Sequence, residues 1–243
     1  MKFCILIPAR YGSTRFPGKP LADLGGMSMI QRVWNVAASC SGNSGIAVAT
    51  DDARIEAHVN IFGKAILTNA QHPSGTDRCM EAFEKSGFEA DIIVNLQGDE
   101  PFIRPEQIMA LVSMFENPDV EIATLKKAIL SATEVDNPNV VKVVTDIHDK
   151  ALYFSRSQIP FSRENDSTPP YYRHIGMYAY KADVLHKITL LKPSILELTE
   201  KLEQLRWLEN GYHIAVAETQ WQSPAVDTPE DLEKAIDFLK NQS

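Results

Sequence analysis

The sequence has few cysteines and no long hydrophobic run. Its three cysteines, Cys4, Cys40 and Cys79, are odd in number, far apart and without CxxC spacing. This pattern predicts reduced, buried thiols and argues against a disulfide framework. The N-terminal apolar run is too short for a signal peptide and is cut by Pro8. No run approaches the roughly 20 residues of a membrane span. We therefore expect a cytoplasmic protein with no membrane partner.

Positive charge is also scarce, with 24 Lys and Arg against 32 Asp and Glu and a formal net charge of −8. This balance argues against nucleic-acid binding. The exception is residues 1–22, which contain no acidic residue but carry Lys2, Arg10, Arg15 and Lys19. A local cationic segment in an acidic protein points to a small anionic ligand.

Apolar runs of strand length alternate with helical periodicity in the first half of the chain. The predicted strands are residues 3–7, 45–49, 64–68, 91–96 and 121–125. The predicted helices are residues 29–38, 51–62, 77–85 and 105–115. This alternation predicts right-handed βαβ units, and therefore an α/β fold with a doubly wound, mostly parallel, Rossmann-type sheet.

The second half of the chain is richer in β-structure. Residues 140–145 and 151–154 predict a hairpin joined by a short polar turn. They are followed by a predicted strand at 175–180, an amphipathic helix at 195–210 and a strand at 213–217. Thr228 and Pro229 then predict the start of the last helix. We expect a single domain with a core of about residues 1–126 and 211–243 and a smaller β-rich insertion of about residues 127–210.

The loop after the first strand has the composition of a phosphate-binding loop, since it joins glycines to the cations Arg10, Arg15 and Lys19. Its spacing does not fit a Walker A loop, because five residues separate Gly12 from Gly18-Lys19 and Pro20 replaces the metal-binding Ser or Thr. A G-x-G-x-x-G dinucleotide motif is also missing after this strand. The alternative is a solvated loop whose cations serve solubility.

Two carboxylates are candidate ligands for a hard cation. Asp99 and the adjacent Glu100 follow the strand at 91–96, and ligands of open α/β sheets bind outside such strand ends. A carboxylate beside phosphate-binding cations suggests Mg²⁺, although Asp99 could merely cap a turn. Asp227 precedes Thr228, which already fills the N-cap position, so Asp227 is a candidate second carboxylate.

Other polar positions carry weaker signals. Residues 74–78 combine a Gly turn with a helix start, whose N–H groups can bind a base edge or a phosphate, although a plain N-terminus capped by Ser74 or Thr76 explains them as well. In the insertion, His174 could be a structural hydrogen-bonding residue, and Glu203 with Arg206 a surface pair.

Eight segments, taken in order along nearly the whole chain, resemble one family. They are residues 7–21 (IPARYGSTRFPGKPL), 72–78 (HPSGTDR), 94–102 (VNLQGDEPF), 137–143 (NPNVVKV), 151–161 (ALYFSRSQIPF), 174–180 (HIGMYAY), 200–212 (EKLEQLRWLENGY) and 226–232 (VDTPEDL). The resemblance is to the CMP-Kdo synthetases, or 3-deoxy-manno-octulosonate cytidylyltransferases. It implies CMP transfer from CTP to Kdo (3-deoxy-D-manno-octulosonate), with release of pyrophosphate, for lipopolysaccharide biosynthesis.

The resemblance also implies roles for individual residues. The residues implied for CTP are Pro8, Ala9, Arg10, Arg15, Lys19, Ser74, Gly75, Arg78 and Gln97. The residues implied for Kdo are Gln97, Arg156, Arg163, His174, Tyr178, Glu203 and Gln204. Asp99 and Asp227 are implied as Mg²⁺ ligands, with two ions expected during turnover, and Lys19 and Arg10 are implied to join them in catalysis. A homodimer, paired through the insertion, is implied as well.

One segment departs from the family pattern. Ser223-Pro224-Ala225 stands where glycines often precede the V-D-T run, and Pro224 fixes φ where a glycine would flex. This substitution bears on the placement of Asp227. Two other functions are considered: a non-catalytic nucleotide sensor, and a glycosyltransferase, whose usual Asp-x-Asp motif after an apolar run is missing here. The identity of the acid sugar, Kdo or a close analogue such as 8-amino-Kdo, stays open.

Overall fold

The computed structural model describes residues 1–12, 16–163, 169–221, 226 and 228–240. Arg15, Asp227 and the Ser223-Pro224-Ala225 segment lie outside these residues. The elements in chain order are β1 (Phe3–Ala9), α1 (Met29–Ser39), β2 (Asn43–Thr50), α2 (Ala53–Val59), β3 (Ala65–Leu67), α3 (Gly75–Ser86), β4 (Ile92–Asn95), α4 (Pro105–Ser113), β5 (Ile122–Ala128), α5 (Ala132–Val135), β6 (Lys142–Thr145), β7 (Ala151–Ser155), β8 (Tyr172–Lys181), α6 (Ala182–Thr189), α7 (Ile195–Glu200), α8 (Gln204–Glu209), β9 (Ile214–Glu218) and α9 (Pro229–Lys240). The chain divides into two compact units, residues 1–109 with 222–243 (unit 1) and residues 110–221 (unit 2).

Unit 1 contains a parallel sheet in the order β3-β2-β1-β4. All seven residues of β1 are buried, as are all four of β4, which explains their uninterrupted apolar sequences. The α/β fold and its mostly parallel sheet are therefore confirmed. The strands end together at one edge of the sheet, and this edge carries the loops of the nucleotide-binding prediction.

Side-chain caps fix where the helices of unit 1 begin. Ser74 caps α3, because its Oγ accepts hydrogen bonds from the N–H groups of Thr76 and Asp77. Thr228 and Asp231 bond reciprocally at the start of α9, as the Thr-Pro start signal predicts. These caps fix the positions at which the chain enters α3 and α9, next to the segments predicted to form the site.

Unit 2 contains β5 paired antiparallel with β8 and parallel with β9, and β6 and β7 form the predicted hairpin. The predicted continuous helix at 195–210 is wrong. It is divided into α7 and α8, because Lys201 adopts a left-handed conformation with φ 54° between them. The break turns Gln204 to Trp207 inward, where all four residues are buried.

The predicted state of the cysteines is confirmed, since all three are free and buried. Burial raises the pKa of the Cys4 thiol to about 12 and that of Cys40 to about 11, where Glu106 adds to the effect. Both thiols are therefore protonated and unreactive at neutral pH. Among the residues that the structure describes, no helix has the length and apolar character needed to cross a bilayer.

Candidate active site

The cationic loop after β1 reaches the strand end that carries Asp99. A short 3₁₀ turn at Lys19–Leu21 directs the Lys19 side chain so that its Nζ lies 2.8 Å from Asp99 Oδ2. Gly18 precedes it with φ 73°, a conformation that favours glycine. The Lys19 side chain is 12% exposed and that of Asp99 37%. A cation and a carboxylate thus meet where the sequence predicts phosphate and metal binding.

Three residues implied for the nucleotide lie against one another. A Cβ added to Gly75 would lie 3.3 Å from Pro8 Cγ and 3.8 Å from Gln97 Oε1. Gly98 approaches the same place, since a Cβ on it would lie 3.0 Å from the Pro8 carbonyl oxygen. Gln97 is oriented by a 3.0 Å hydrogen bond from its Nε2 to Asn95 Oδ1. Glycine at 75 and 98 therefore allows β1, β4 and α3 to converge at one corner.

Arg10 joins this corner to the loop between β3 and α3. Its Nη2 donates to the carbonyl oxygen of His72, and at 3.5 Å to that of Ser74. Partial burial lowers the pKa of Arg10, and so does the nearby charge of Arg78, while Asp51 and Asp77 offset part of this effect. The guanidinium is held beside the 72–78 loop by these hydrogen bonds.

Arg78 lies beneath this corner, with its side chain fully buried. Its Nη2 donates to Asp51 Oδ2 at 2.8 Å and its Nη1 to Thr68 Oγ1 at 2.5 Å. Its Nε is buried without a hydrogen-bond partner among the described residues. These contacts give Arg78 a supporting position, whereas its contact with a base stays a prediction.

The donor set at Asp99 suits Mg²⁺. Mg²⁺ binds carboxylate oxygens and keeps several water or phosphate ligands, and the exposed part of the Asp99 carboxylate leaves room for them. The described part of the chain contains no group of three or more His, Cys, Asp or Glu side chains able to hold a metal. A site with one or two protein carboxylates, completed by substrate oxygens, is the arrangement these residues fit.

In unit 2, His174 is partly buried. Its Nε2 lies 3.0 Å from Thr124 Oγ1, and its ring packs edge-on against Phe154. Burial, and to a smaller extent the neighbouring charge of Arg173, lower the pKa of His174 to about 3. The imidazole is therefore neutral at physiological pH and acts as a hydrogen-bonding group, not as a cation.

Tyr178 stands beside His174 in an aromatic cluster, with 5.3 Å between their ring centroids, and Trp207 packs edge-on against Tyr178. Burial raises the pKa of Tyr178 well above its ordinary value, as does Glu203, while the nearby Thr124 hydroxyl offsets part of this. Thr124 Oγ1 itself bonds to His174 and to main-chain carbonyls.

Buried polar atoms in this part of unit 2 lack partners. Within the described residues, the Tyr178 hydroxyl, Gln204 Nε2 and Trp207 Nε1 have no hydrogen-bond partner. Each such group is costly to bury unless a ligand or water satisfies it. Tyr178 and Gln204 are among the residues implied for the sugar. Trp207 is not among them, and nothing in the sequence pattern singles it out.

The remaining residues implied for the sugar are placed differently. Arg156 is held by Glu200, whose main-chain oxygen accepts from Nε at 2.8 Å, and by the Pro138 carbonyl at 3.0 Å. Arg163 is exposed, and Glu203 directly precedes α8. The surface-pair interpretation of Glu203 and Arg206 is wrong, because Arg206 is buried and donates to both carboxylate oxygens of Glu197.

Sequence reasoning missed Glu81, which holds the loop before α3, and Thr124, which contacts His174. Both act through long-range contacts, and neither stands in one of the segments that carry the resemblance. For Glu81, the only signal was its place one helical turn past the Ser-Gly-Thr-Asp-Arg start, on the helix that the loop precedes.

Comparison with known proteins gives one consistent result. A sequence model of the cytidylyltransferase family matches residues 4–216. Proteins named 3-deoxy-manno-octulosonate cytidylyltransferase from Parabacteroides distasonis and Bacteroides thetaiotaomicron are each 52% identical over 252 residues, covering 100% of both chains.

Solved structures agree with these sequence relatives. A CMP:2-keto-3-deoxy-manno-octonic acid synthetase complexed with CTP superposes with a TM-score of 0.95 at 46% identity over 100% of both chains. A glucose-1-phosphate thymidylyltransferase from Bacillus anthracis, at 18% identity and a TM-score of 0.69, covers 98% of this chain and 96% of its own and shares the fold.

Proposed function

The chain belongs to the cytidylyltransferase family, among the 3-deoxy-manno-octulosonate cytidylyltransferases, and we propose that it transfers CMP from CTP to Kdo and releases pyrophosphate. The observation that carries this proposal is full-length identity of 52% to relatives with that name. The local geometry supports it, because Lys19 meets Asp99 and Gly75 meets Pro8 at the carboxyl ends of parallel strands. The product would supply activated Kdo for lipopolysaccharide biosynthesis.

The proposed reaction is an in-line attack by the anomeric hydroxyl of Kdo on the α-phosphorus of CTP. The bond from phosphorus to the sugar oxygen forms as the bond to pyrophosphate breaks, and the hydroxyl proton is lost to solvent or phosphate. Arg10, Arg15 and Lys19 would bind the triphosphate and stabilise the negative charge that grows on its oxygens. The cytosine would lie against Pro8, Ala9, Ser74 and Gly75. Arg78 would support these residues from its buried position.

Asp99 and Asp227 would hold Mg²⁺, as two ions during turnover. When bound, Mg²⁺ neutralises phosphate oxygens and lowers the pKa of a coordinated hydroxyl. The position of Asp99 after β4 and its contact with Lys19 support this proposed role. Because Lys19 and Asp99 are in contact, we expect nucleotide binding to change the positions of both side chains.

The sugar site is proposed among residues of unit 2. His174, Tyr178, Glu203 and Gln204 would bind hydroxyls, and the unpartnered donors of Tyr178 and Gln204 support this assignment. Arg156 and Arg163 would pair with the sugar carboxylate, for which a guanidinium is suited because it binds bidentately. Since His174 is neutral, the carboxylate charge is left to the arginines.

We further propose that the enzyme is a cytoplasmic homodimer paired through unit 2. Leu130 and Phe161 are 94% and 83% exposed, so a partner that covered them would remove apolar surface from water. Leu130 lines a cavity of about 730 Å³ that includes Val135, Pro170 and Tyr171. A second copy would cover these residues.

The proposed dimer is tested by light scattering of the purified protein, which should give a dimer mass. The Leu130→Asp variant should give a monomer. A wild-type monomer at micromolar concentration would contradict the pairing.

The substrate is tested by comparing Kdo with 8-amino-Kdo and with sialic acid, each with CTP and Mg²⁺. We expect the highest kcat/KM with Kdo and no measurable turnover of sialic acid. A clear preference for 8-amino-Kdo would move the proposal to an amino-sugar pathway. Turnover with none of these acid sugars would contradict the proposed function.

A further inference from the structure

Glu81, on the second turn of α3, holds the loop of residues 69–74 that leads into this helix. Its Oε2 accepts a 2.8 Å hydrogen bond from the Asn69 N–H and another from His72 Nε2. Its Oε1 lies 2.5 Å from Lys85 Nζ, one turn further along α3. One carboxylate thus binds the first residue of the loop, a residue near its end, and its own helix.

The charge of Glu81 is secured by these partners. Partial burial alone would raise the pKa of Glu81, but the hydrogen bonds from Lys85, the Asn69 N–H and His72 lower it to about 2. The carboxylate is therefore ionised at every physiological pH. Because a carboxylate can only accept, His72 must carry a proton on Nε2 to make this bond.

The loop is held from its other side by Arg10, whose Nη2 donates to the carbonyl oxygen of His72 and more weakly to that of Ser74. His72 is therefore bound at its ring by Glu81 and at its carbonyl by Arg10. The position of that carbonyl determines where the guanidinium can lie. From this chain of contacts we infer that Glu81 is a positioning residue that, through His72, sets Arg10 for the triphosphate of CTP; the inference rests on the proposed function.

A purely structural role for Glu81 predicts something different. If the carboxylate only stabilised the start of α3, its loss would lower the melting temperature, and any effect on CTP would not depend on Arg10. If Glu81 acts through Arg10, its loss matters only while the guanidinium is present. The two roles are therefore separated by a double-mutant cycle between Glu81 and Arg10.

The experiment measures the dissociation constant of CTP with Mg²⁺ by titration calorimetry, together with the KM values for CTP and Kdo and the melting temperature. Glu81→Gln keeps the size of the side chain and removes its charge. We expect it to weaken CTP binding by about three- to tenfold, the effect of one lost hydrogen bond, while the KM for Kdo stays unchanged. Glu89→Gln is the matched control, since Glu89 is an exposed carboxylate of unit 1 paired with Lys2.

Two variants of His72 test the link without altering the Glu81–Lys85 pair. His72→Leu removes the ring donor and should reproduce the effect of Glu81→Gln. His72→Gln keeps an N–H donor near the place of Nε2 and should retain most of the affinity. These variants keep the inference testable even if Glu81→Gln lowers the stability of the fold.

The cycle is completed with Arg10→Ala, alone and combined with Glu81→Gln. In the Arg10→Ala background, Glu81→Gln should cause no further loss of CTP affinity. An equal loss in both backgrounds, or an unchanged affinity in Glu81→Gln and His72→Leu, would overturn the inference. Failure of the wild-type protein to bind CTP at all would instead overturn the proposed function, so the two failures are distinguishable.

Discussion

Lys19 Nζ and Asp99 Oδ2 lie 2.8 Å apart, which joins the loop after β1 to the end of β4. Each charge therefore has a partner even without substrate, so a mostly buried lysine and a half-exposed carboxylate are tolerated at one place. In the proposed reaction, the pair would also set the spacing of these two groups beside the phosphates. It is the central geometric feature of the proposed active site.

The first prediction concerns Asp99. Asp99→Asn keeps the shape of the side chain but removes the charge that would hold Mg²⁺, so kcat should fall by about a hundredfold or more with little change in melting temperature. Asp183→Asn, which removes an exposed carboxylate of a surface pair, is the control and should leave kcat unchanged. Near-normal turnover of Asp99→Asn would remove Asp99 from the metal site.

A second prediction concerns the Tyr178 hydroxyl. Because this buried hydroxyl has no partner among the described residues, Tyr178→Phe should leave the melting temperature unchanged or slightly higher. If the hydroxyl binds the sugar, the KM for Kdo should rise by about three- to tenfold while the KM for CTP does not. Tyr212→Phe, at a half-buried position in the same unit, serves as the control. An unchanged KM for Kdo would remove Tyr178 from the sugar site.

Arg78 gives a third prediction. Arg78→Met would leave the Asp51 carboxylate without its buried partner, and breaking such a pair costs about 3–5 kcal/mol of the free energy of unfolding. Lys187→Met, which breaks an exposed pair within α6, should cost less than about 1 kcal/mol. Chemical denaturation measures both. A variant of normal stability that accepts UTP in place of CTP would show instead that Arg78 selects the base.

A fourth prediction follows from the partly buried imidazole of His174. Its pKa is about 3, below the ordinary value of 6.5. Between pH 3 and pH 6.5, the unfolded chain therefore binds a proton at His174 that the folded chain does not. Stability that is present above pH 6.5 should therefore be lost as the pH falls toward 3, by about 1.4 kcal/mol per pH unit. Urea unfolding at pH 7, 6 and 5 measures this slope.

The matched variants for this measurement are His174→Gln and His148→Gln. His174→Gln should show a flatter dependence on pH, because the group that takes up the proton is missing. His148 lies on an exposed turn, and its replacement should leave the slope as in the wild type. Equal slopes in wild type and His174→Gln would show that the imidazole is not buried in its neutral form.

Much of the fold follows from local patterns. Strands such as β1 and β4 are buried on both faces, so their apolar runs identify them without knowledge of the rest of the chain. The helix predicted over 195–210 failed because its periodicity continues through Lys201, where the backbone turns left-handed. Nothing in the local sequence marks this break, which depends on the inward packing of Trp207.

Site residues that stand in sequence motifs could be predicted from the sequence. Residues whose contacts depend on tertiary packing could not. Gly75 and Asp99 stand in recognisable segments, and the structure brings them to Pro8 and Lys19 respectively. Glu81 acts on a loop nine or more residues away, and pairings at that distance are set by the tertiary fold. The role of Glu81 therefore follows from the tertiary structure and not from the sequence pattern.

CMP transfer to Kdo is tested most directly by pyrophosphate release from CTP. With wild-type protein, CTP, Mg²⁺ and Kdo, we expect one pyrophosphate for each CMP-Kdo formed, and no release when Kdo or Mg²⁺ is omitted. Pyrophosphate release that does not depend on Kdo, or no release with all components present, would contradict it.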